Sequence, residues 1–482
     1  MPQLARLVLA LCLVPFAASW FSTLEAADTE QPNILFLFTD DQAGWALGAS
    51  GYPHAVTPNL DNLVKDGAYL TNAFTVTPVC SPSRASLISG RYGTELGIQD
   101  WIHPQREPDL GLPLETVTWV QLLKDAGYHT GLVGKWHLGT PDAMHPTQFG
   151  YDHFVGFRTG GAPTKNPTLE KDGKNQKFEG LTTDILTDFA IDFLKEQKGD
   201  QPFCLSVHFR APHTAWLPVA EEDWAPFAEL DPTIPNPDYP KLDVPRVKKM
   251  TREYLASVAG VDRNVGRILK TLKAKGFEDN TIVIFSSDHG YNMGHNGIWH
   301  KGNGHWVLTE NPPATENIPK GQRPNMYDLA LRIPTIVRWP GKVKPGTKID
   351  DTVSNLDWFP TVLEMANVKL PAEVKIHGES FVPLLQGKDV KWDNDFYAEY
   401  STKHQSHTHM RMYRTPEWKL IRDYLNSGRD ELYHLTDDPA EANNLIDSDS
   451  PEVKAVTAKL DAKIQQHMKA INDPVLETLS AK

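Results

Sequence analysis

Cysteine is scarce. The 482 residues include three, Cys12, Cys80 and Cys204, too few for a disulfide scaffold in a chain of this size. Positive charge is in deficit as well: 48 Lys and Arg face 61 Asp and Glu, for a formal net charge of -13. That balance excludes a general binder of nucleic acid or of an anionic membrane. An anionic substrate would need a local cluster of basic residues and metal. No Asn-x-Ser/Thr acceptor occurs, so N-glycosylation lends no support to a eukaryotic secretory origin. Internal repeats and long low-complexity tracts are also lacking. What remains is ordinary globular composition, 40% hydrophobic and 23% charged, with ample material for a large core.

The N-terminus reads as a signal peptide over residues 1–27. Arg6 supplies positive charge, residues 7–21 form an apolar run, and the small Ala26 and Ala27 precede the polar stretch from Asp28. The alternative is a membrane anchor, but the run is short against the ~20 residues of a bilayer span. No later segment is apolar enough to span. Export to the periplasm or the exterior follows. Cys12 leaves with the signal, and Cys80 and Cys204 then form one disulfide or remain inert core thiols. Cys204 lies in the apolar run 203–207 and suits a buried strand. Cys80 lies among Pro and Ser, in a turn, and does not suit core packing.

Apolar, β-branched runs alternate with helical patterns, which predicts an α/β fold with a large, mainly parallel or mixed sheet flanked by helices. Four runs, at 34–38, 130–133, 203–207 and 281–285, are each followed by chemically capable residues. These are Asp40 and Asp41; Lys135 and His137; His208 and His213; Asp288 and His289. Open parallel sheets bind ligands beyond the carboxyl ends of their strands, so one rule gathers all four groups at one edge. Residues 211–246 and 307–324 are Pro-rich and read as loops. Past residue 390, short alternating runs at 396–400, 410–413 and 418–421 predict a small antiparallel sheet, and 451–470 carries helical periodicity. The division is 28–390 for the main domain and 391–482 for a C-terminal subdomain.

Cys80-Ser81-Pro82-Ser83-Arg84, continued by Ala85-Ser86-Leu87-Ile88-Ser89-Gly90-Arg91, predicts a helix. Pro82 suits its first turn and Gly90 its stop. Cys80 then sits at a helix N-terminus, which favours anions, and Arg84 can fold back beside it. A capped surface helix with an incidental cysteine would look the same in isolation.

Cys-x-Pro-x-Arg with this helix resembles the signature of the formylglycine-dependent sulfatases, within the alkaline-phosphatase-like superfamily. The resemblance runs along most of the chain and in the same order. Residues 33–41 resemble the opening strand and its paired aspartates. Thr57-Pro58-Asn59-Leu60-Asp61, Gly134-Lys135-Trp136-His137-Leu138-Gly139, Ala211-Pro212-His213 and Ser287-Asp288-His289-Gly290 follow. Glu431-Leu432-Tyr433-His434-Leu435 with Asp438-Pro439 and Glu441 resembles the C-terminal hairpin. After Gly294-His295-Asn296-Gly297-Ile298-Trp299-His300-Lys301 the chain departs from many sulfatases. A long loop intervenes before Met326-Tyr327-Asp328 and Arg332-Ile333-Pro334, as in the carbohydrate-directed branches, and it is expected to shape the substrate pocket.

The resemblance implies a sulfuric ester hydrolase acting on a sulfated carbohydrate. Cys80 would be converted to formylglycine by a formylglycine-generating or anaerobic maturation enzyme. Asp40, Asp41, Asp288 and His289, with the residue at Cys80, would hold calcium, or magnesium; hard carboxylate oxygens favour those ions. His289 stands where many members carry Asn. In the family's reaction one hydroxyl of the hydrated aldehyde attacks sulfur, and the second, deprotonated by His137, expels sulfate. Arg84 would steady this cluster. Lys135, His213 and Lys301 would clamp sulfate oxygens, with His213 or Lys301 protonating the leaving group. Taken alone, Asp40-Asp41 reads as a solvated turn, and any one His as a structural residue.

For the sugar, the expectation falls on His295 and on the run 403–411, where period-two spacing would put His407, His409 and Arg411 on one strand face, with His404 nearby. A solvated hairpin tip or an adventitious metal site would carry the same residues. Two rivals stand beside the sulfatase reading: a phosphodiester or phosphonate hydrolase of the same superfamily, and a binding protein on a catalytically dead fold.

Overall fold

The computed structural model describes residues 31–480; the signal peptide expected over 1–27 lies outside them. The chain forms β1 (Asn33–Thr39), β2 (Ala68–Phe74), β3 (His129–Lys135), β4 (His153–Phe157), β5 (Thr168–Lys171), β6 (Lys174–Lys177), β7 (Phe203–His208) and β8 (Thr281–Ser287). A small sheet of β9 (Asn292–Met293), β10 (Ile298–His300) and β11 (His305–Trp306) follows, and then β12 (Ile336–Arg338) and β13 (Thr347–Ser354). The large sheet has ten strands in the order β13-β2-β12-β8-β1-β7-β3-β4-β5-β6.

Its centre, β8-β1-β7-β3, is the four apolar runs singled out in the sequence, and all three pairings are parallel. β1, β7 and β8 are buried along their whole length, as continuous apolar strands covered on both faces must be. Alternate residues of β1 serve the two faces. Ile34, Phe36 and Phe38 pack with Trp119 and Trp358; Leu35 and Leu37 pack with Leu186, Val261 and Val265. The long helix Val244–Ala274 and the helix Thr182–Glu196 therefore cover one face. Antiparallel β12, β5 and β6 make the sheet mixed.

The helix Cys80–Ser89 begins and ends where Pro82 and Gly90 place it. All ten residues are buried, and Gly90 adopts φ 67°, a left-handed cap that glycine takes without strain. Cys80 and Cys204 are both free thiols, and both are buried, which resolves the alternative of a disulfide.

β14 (Phe396–Tyr400), β15 (Met410–Arg414), β16 (Trp418–Asp423) and β17 (Glu431–His434) form a separate antiparallel sheet in that order. The helix Pro451–Ala470 buries Val453, Leu460, Ile464 and Met468 in its core. Phe396 stacks on Phe74 with ring centroids 5.2 Å apart, and Val79, next to Cys80, belongs to the same apolar cluster. β15 begins at Met410, later than period-two spacing from His407 requires. Residues 401–409 are a loop in which the Thr402 hydroxyl meets those of Ser406 at 3.1 Å and Thr408 at 2.9 Å. Local hydroxyl bonds of this kind offer the backbone an alternative to the ladder.

Candidate active site

The carboxyl ends of the four central strands meet the N-terminus of the Cys80 helix. Cys80 Sγ lies 3.4 Å from Asp40 Oδ1, 3.5 Å from His289 Nε2 and 3.1 Å from Lys301 Nζ. Asp40, Asp41, Asp288 and His289 have no solvent exposure. The Arg84 guanidinium lies 3.0 Å from Asp288 Oδ2 and 4.0 Å from Asp40 Oδ1. Lys135 Nζ pairs with Asp40 Oδ2 at 2.7 Å, and Lys301 Nζ with Asp41 Oδ1 at 2.6 Å. His289 Nε2 lies 3.1 Å from Asp41 Oδ1 and 3.3 Å from Asp288 Oδ1.

Charge balance sets the protonation states. Burial alone would raise Asp40, but Lys135, His213 and Arg84 outweigh it and hold the carboxyl well below the usual range. Asp41 is lowered against burial in the same way, chiefly by Lys301. Asp288 is raised by burial despite His289 and Arg84. Lys301 stays charged: burial opposes its charge, and Asp41 together with the other negative groups around it, Asp40 and Asp288 among them, outweighs burial. The Cys80 thiol is pushed up to about 12 by burial and by Asp40. An unmodified thiol there is protonated at neutral pH and a poor nucleophile.

Asp40, Cys80, Asp288 and His289 each offer one ligand atom within 4.8 Å of the others, as do Asp40, Asp41, Cys80 and His213. Asp41 Oδ2 is buried and has no hydrogen-bond partner among the described residues. Three carboxylates and one imidazole, with an orphaned oxygen among them, fit a hard divalent cation. These residues are the ones that could hold it.

His137 approaches from the adjoining loop. Its Nε2 lies 3.1 Å from the Ile102 carbonyl oxygen, which can only accept. Nε2 therefore carries the proton and Nδ1 the lone pair, and Nδ1 is buried without a partner among the described residues. Burial and Lys135 hold the ring well below the ordinary histidine range, so it is neutral. His213 Nδ1 contacts the Thr214 carbonyl oxygen at 2.6 Å, which makes Nε2 its lone-pair nitrogen. Burial lowers His213 to about 4.

The structure thus gathers Asp40, Asp41, Cys80, Arg84, Lys135, His213, Asp288, His289 and Lys301 around one point. None of the four residues expected to bind sugar, His295, His407, His409 and Arg411, makes a side-chain hydrogen bond or ion pair with this set among the described residues. Arg411 is fully buried, with Nε 2.5 Å from Asp473 Oδ2 and a second contact of 3.0 Å to Oδ1. An arginine committed to a buried carboxylate cannot reach a ligand. His409 Nδ1 meets Ser401 Oγ at 3.1 Å. His407 is exposed, and its backbone N–H donates to Asn317 of the 307–324 loop at 2.8 Å. His295 accepts from the Met293 N–H at 3.2 Å and packs against Trp45, beside a hollow of about 240 Å³.

Sequence reasoning missed the residues that position this set. The Tyr254 hydroxyl donates to the Asp41 carbonyl at 2.7 Å and accepts from the Ala43 N–H at 2.9 Å. It thereby braces Asp41, whose φ is 71°. Ser83 Oγ donates to the Asp288 carbonyl. Tyr254 lies mid-way along an amphipathic helix and carries no local signal, whereas Ser83 sat inside the motif.

A family model described as Sulfatase matches residues 32–368, and one described as N-sulphoglucosamine sulphohydrolase, C-terminal, matches 322–470. The chain is 26% identical over 523 residues to an N-acetylglucosamine-6-O-sulfatase of Bacteroides thetaiotaomicron, covering 92% of this chain and 86% of that one. It is 28% identical over 505 residues to a steryl-sulfatase of Rattus norvegicus, with 85% and 80% covered. A solved structure in complex with its substrate D-glucosamine-2-N,6-O-disulfate superposes with TM-score 0.78 at 25% identity, covering 92% of this chain and 99% of that one.

Proposed function

This chain belongs to the sulfatase family, and from that premise we propose that it removes sulfate from a sulfated saccharide, through a formylglycine made from Cys80 and a calcium or magnesium ion held by Asp40, Asp41, Asp288 and His289. The observation that carries the reading is the meeting of Asp40, His289 and Lys301 within 3.5 Å of Cys80 Sγ. That sulfur stands in for the oxygens of the modified side chain. Formylglycine supplies, once hydrated, two hydroxyls on one carbon, one to attack sulfur and one to release sulfate. The ion, when bound by those four side chains, would supply Lewis-acid positive charge beside the reacting groups and favour a deprotonated nucleophile.

The chain's own residues do the rest. Arg84 holds Asp288 and neutralises the cluster from beneath. Lys135 and Lys301 bring two fixed cations to the sulfate oxygens, and donors arranged before reaction cost no reorganisation during it. His137 takes a proton at Nδ1, the nitrogen that the Ile102 contact leaves free. Lys301, charged in this site, gives a proton to the leaving alkoxide, and His213 does so at Nε2 only after that nitrogen has itself been protonated. The catalytic set falls within 28–390, with 391–482 as the C-terminal subdomain. A signal peptide at 1–27 exports the chain, and a maturation enzyme modifies Cys80.

The saccharide assignment is supported by the glucosamine sulfates named for two of the proteins it resembles. It is also supported by polar groups near the site: His300, Asn303 and Gln405 are linked by hydrogen bonds. The test is a comparison of kcat/KM across sulfated mono- and oligosaccharides, glucosamine O-sulfates first, a steroid sulfate and a matched phosphodiester. A sulfated saccharide should be turned over fastest. Faster cleavage of the phosphodiester or of the steroid sulfate would overturn the reading.

A further inference from the structure

Residue 102 is the hinge between the catalytic set and an aromatic cluster. Its N–H donates to Ser81 Oγ at 3.0 Å, next to Cys80, and its carbonyl holds His137. The preceding residue, Trp101, is half-buried. Its ring lies 4.6 Å from that of His404 and 5.1 Å from that of His103. His404 Nε2 contacts the Trp101 carbonyl oxygen at 2.9 Å and Glu107 Oε2 at 3.1 Å, so the two rings are fixed relative to one another.

The buried Asp100 carboxylate ties this cluster to the loop after β14. It accepts from the Trp101 N–H at 2.9 Å, the Lys403 N–H at 2.7 Å and the Tyr400 hydroxyl at 3.1 Å. The same loop reaches the other side of the site. Gln405 Oε1 accepts from Asn303 Nδ2 at 3.4 Å, and Asn303 Oδ1 lies 2.9 Å from His300 Nδ1. His300 directly precedes Lys301, whose Nζ is at Cys80. A short loop of the C-terminal region therefore runs from the His137 side of the site to the Lys301 side, with Gln405 exposed along it.

We propose that Trp101, steadied by His404, is the platform on which the sugar ring of the substrate stacks, and that Gln405 hydrogen-bonds its hydroxyls. This rests on the saccharide reading above. A rigid indole offers a broad apolar face to sugar C–H groups at little cost in conformational entropy, and an amide gives both a donor and an acceptor to a hydroxyl. Asp100 is a positioning residue: it touches no substrate and holds the two halves of the subsite in register.

The test measures kcat/KM for para-nitrophenyl sulfate and for the sulfated saccharide that the wild type cleaves fastest. The variants are Trp101→Ala, Trp101→Phe and Gln405→Ala. The ratio of saccharide to aryl-sulfate kcat/KM should fall about tenfold or more in Trp101→Ala, mainly through KM, and about threefold in Gln405→Ala. Trp101→Phe, which keeps a ring, should retain most of it. Equal losses on both substrates in Trp101→Ala, or an unchanged ratio in both Ala variants, would overturn the platform. Gln405 is exposed, so its variant keeps the test valid if Trp101→Ala folds poorly. A wild type inert on every sulfated saccharide yet active on the aryl sulfate would defeat the saccharide reading itself. A wild type active on saccharide with an unchanged ratio in the variants would defeat the platform alone.

Discussion

His137 Nε2 rests 3.1 Å from the backbone oxygen of Ile102, and that contact decides which nitrogen of the ring acts. Because the partner is a carbonyl, His137→Gln can keep the contact through its amide N–H while losing the basic nitrogen. Its kcat should fall about 10²- to 10⁴-fold, the range expected for a lost general base, with thermal stability close to wild type. Stopped-flow and steady-state rates on one sulfated saccharide measure it. A loss under threefold would remove His137 from the proton-transfer role.

The orphaned Asp41 Oδ2 and the carboxylates around it predict that a divalent cation stabilises the fold. Calcium at a hundredfold excess over its Kd should raise unfolding free energy by about 2.7 kcal/mol, by mass action. Calorimetry with and without chelator reads this independently of activity. Asp41→Ala should lose the calcium-dependent shift, and retention of the full shift in that variant would refute the site.

Arg411 and Asp473 form a buried ion pair. Arg411→Ala leaves a buried carboxylate without its partner, which costs about 3–5 kcal/mol. The protein that remains folded should keep wild-type preference between saccharide and aryl sulfate. A selective loss on the saccharide with unchanged stability would restore Arg411 to the substrate.

Glu399 has a buried carboxyl oxygen without a hydrogen-bond partner among the described residues, and burial raises the group from the ordinary 4.5 to about 7. The folded state therefore binds the extra proton, and stability is lost as pH rises from about 4.5 to about 7. Glu399→Gln keeps an oxygen to accept from the Thr94 N–H, a contact of 2.8 Å in the wild type, and removes the charge. Above pH 7 it should be more stable than wild type by about 1–3 kcal/mol, from the size of the shift. Below pH 4.5 the difference should vanish. Urea denaturation at several pH values gives the curve.

The centre of the fold was legible because β1, β3, β7 and β8 are apolar runs ending in charged residues, and physical chemistry puts such ends at one edge. The Cys80 helix was legible from Pro82 and Gly90. His407 and His409 miss the strand because period-two reasoning holds only inside one; Arg411 lies in β15 but is committed to Asp473, and His295, which period-two spacing never placed, packs against Trp45. The hydroxyl cluster of Thr402, Ser406 and Thr408 bends 401–409 out of the ladder before β15 begins. Asp473, the true partner of Arg411, lies 62 residues away, after the last long helix. Ile102 and Tyr254 act through a carbonyl and a hydroxyl supplied from distant segments, and such contacts leave no pattern in a sequence.

The most direct test of the account is mass spectrometry of the peptide 66–84 from protein of known specific activity. The prediction is that residue 80 carries an aldehyde, or its hydrate, in proportion to activity across preparations, and that Cys80→Ala is folded and inactive. A peptide with an unmodified Cys80 thiol throughout fully active protein would contradict it.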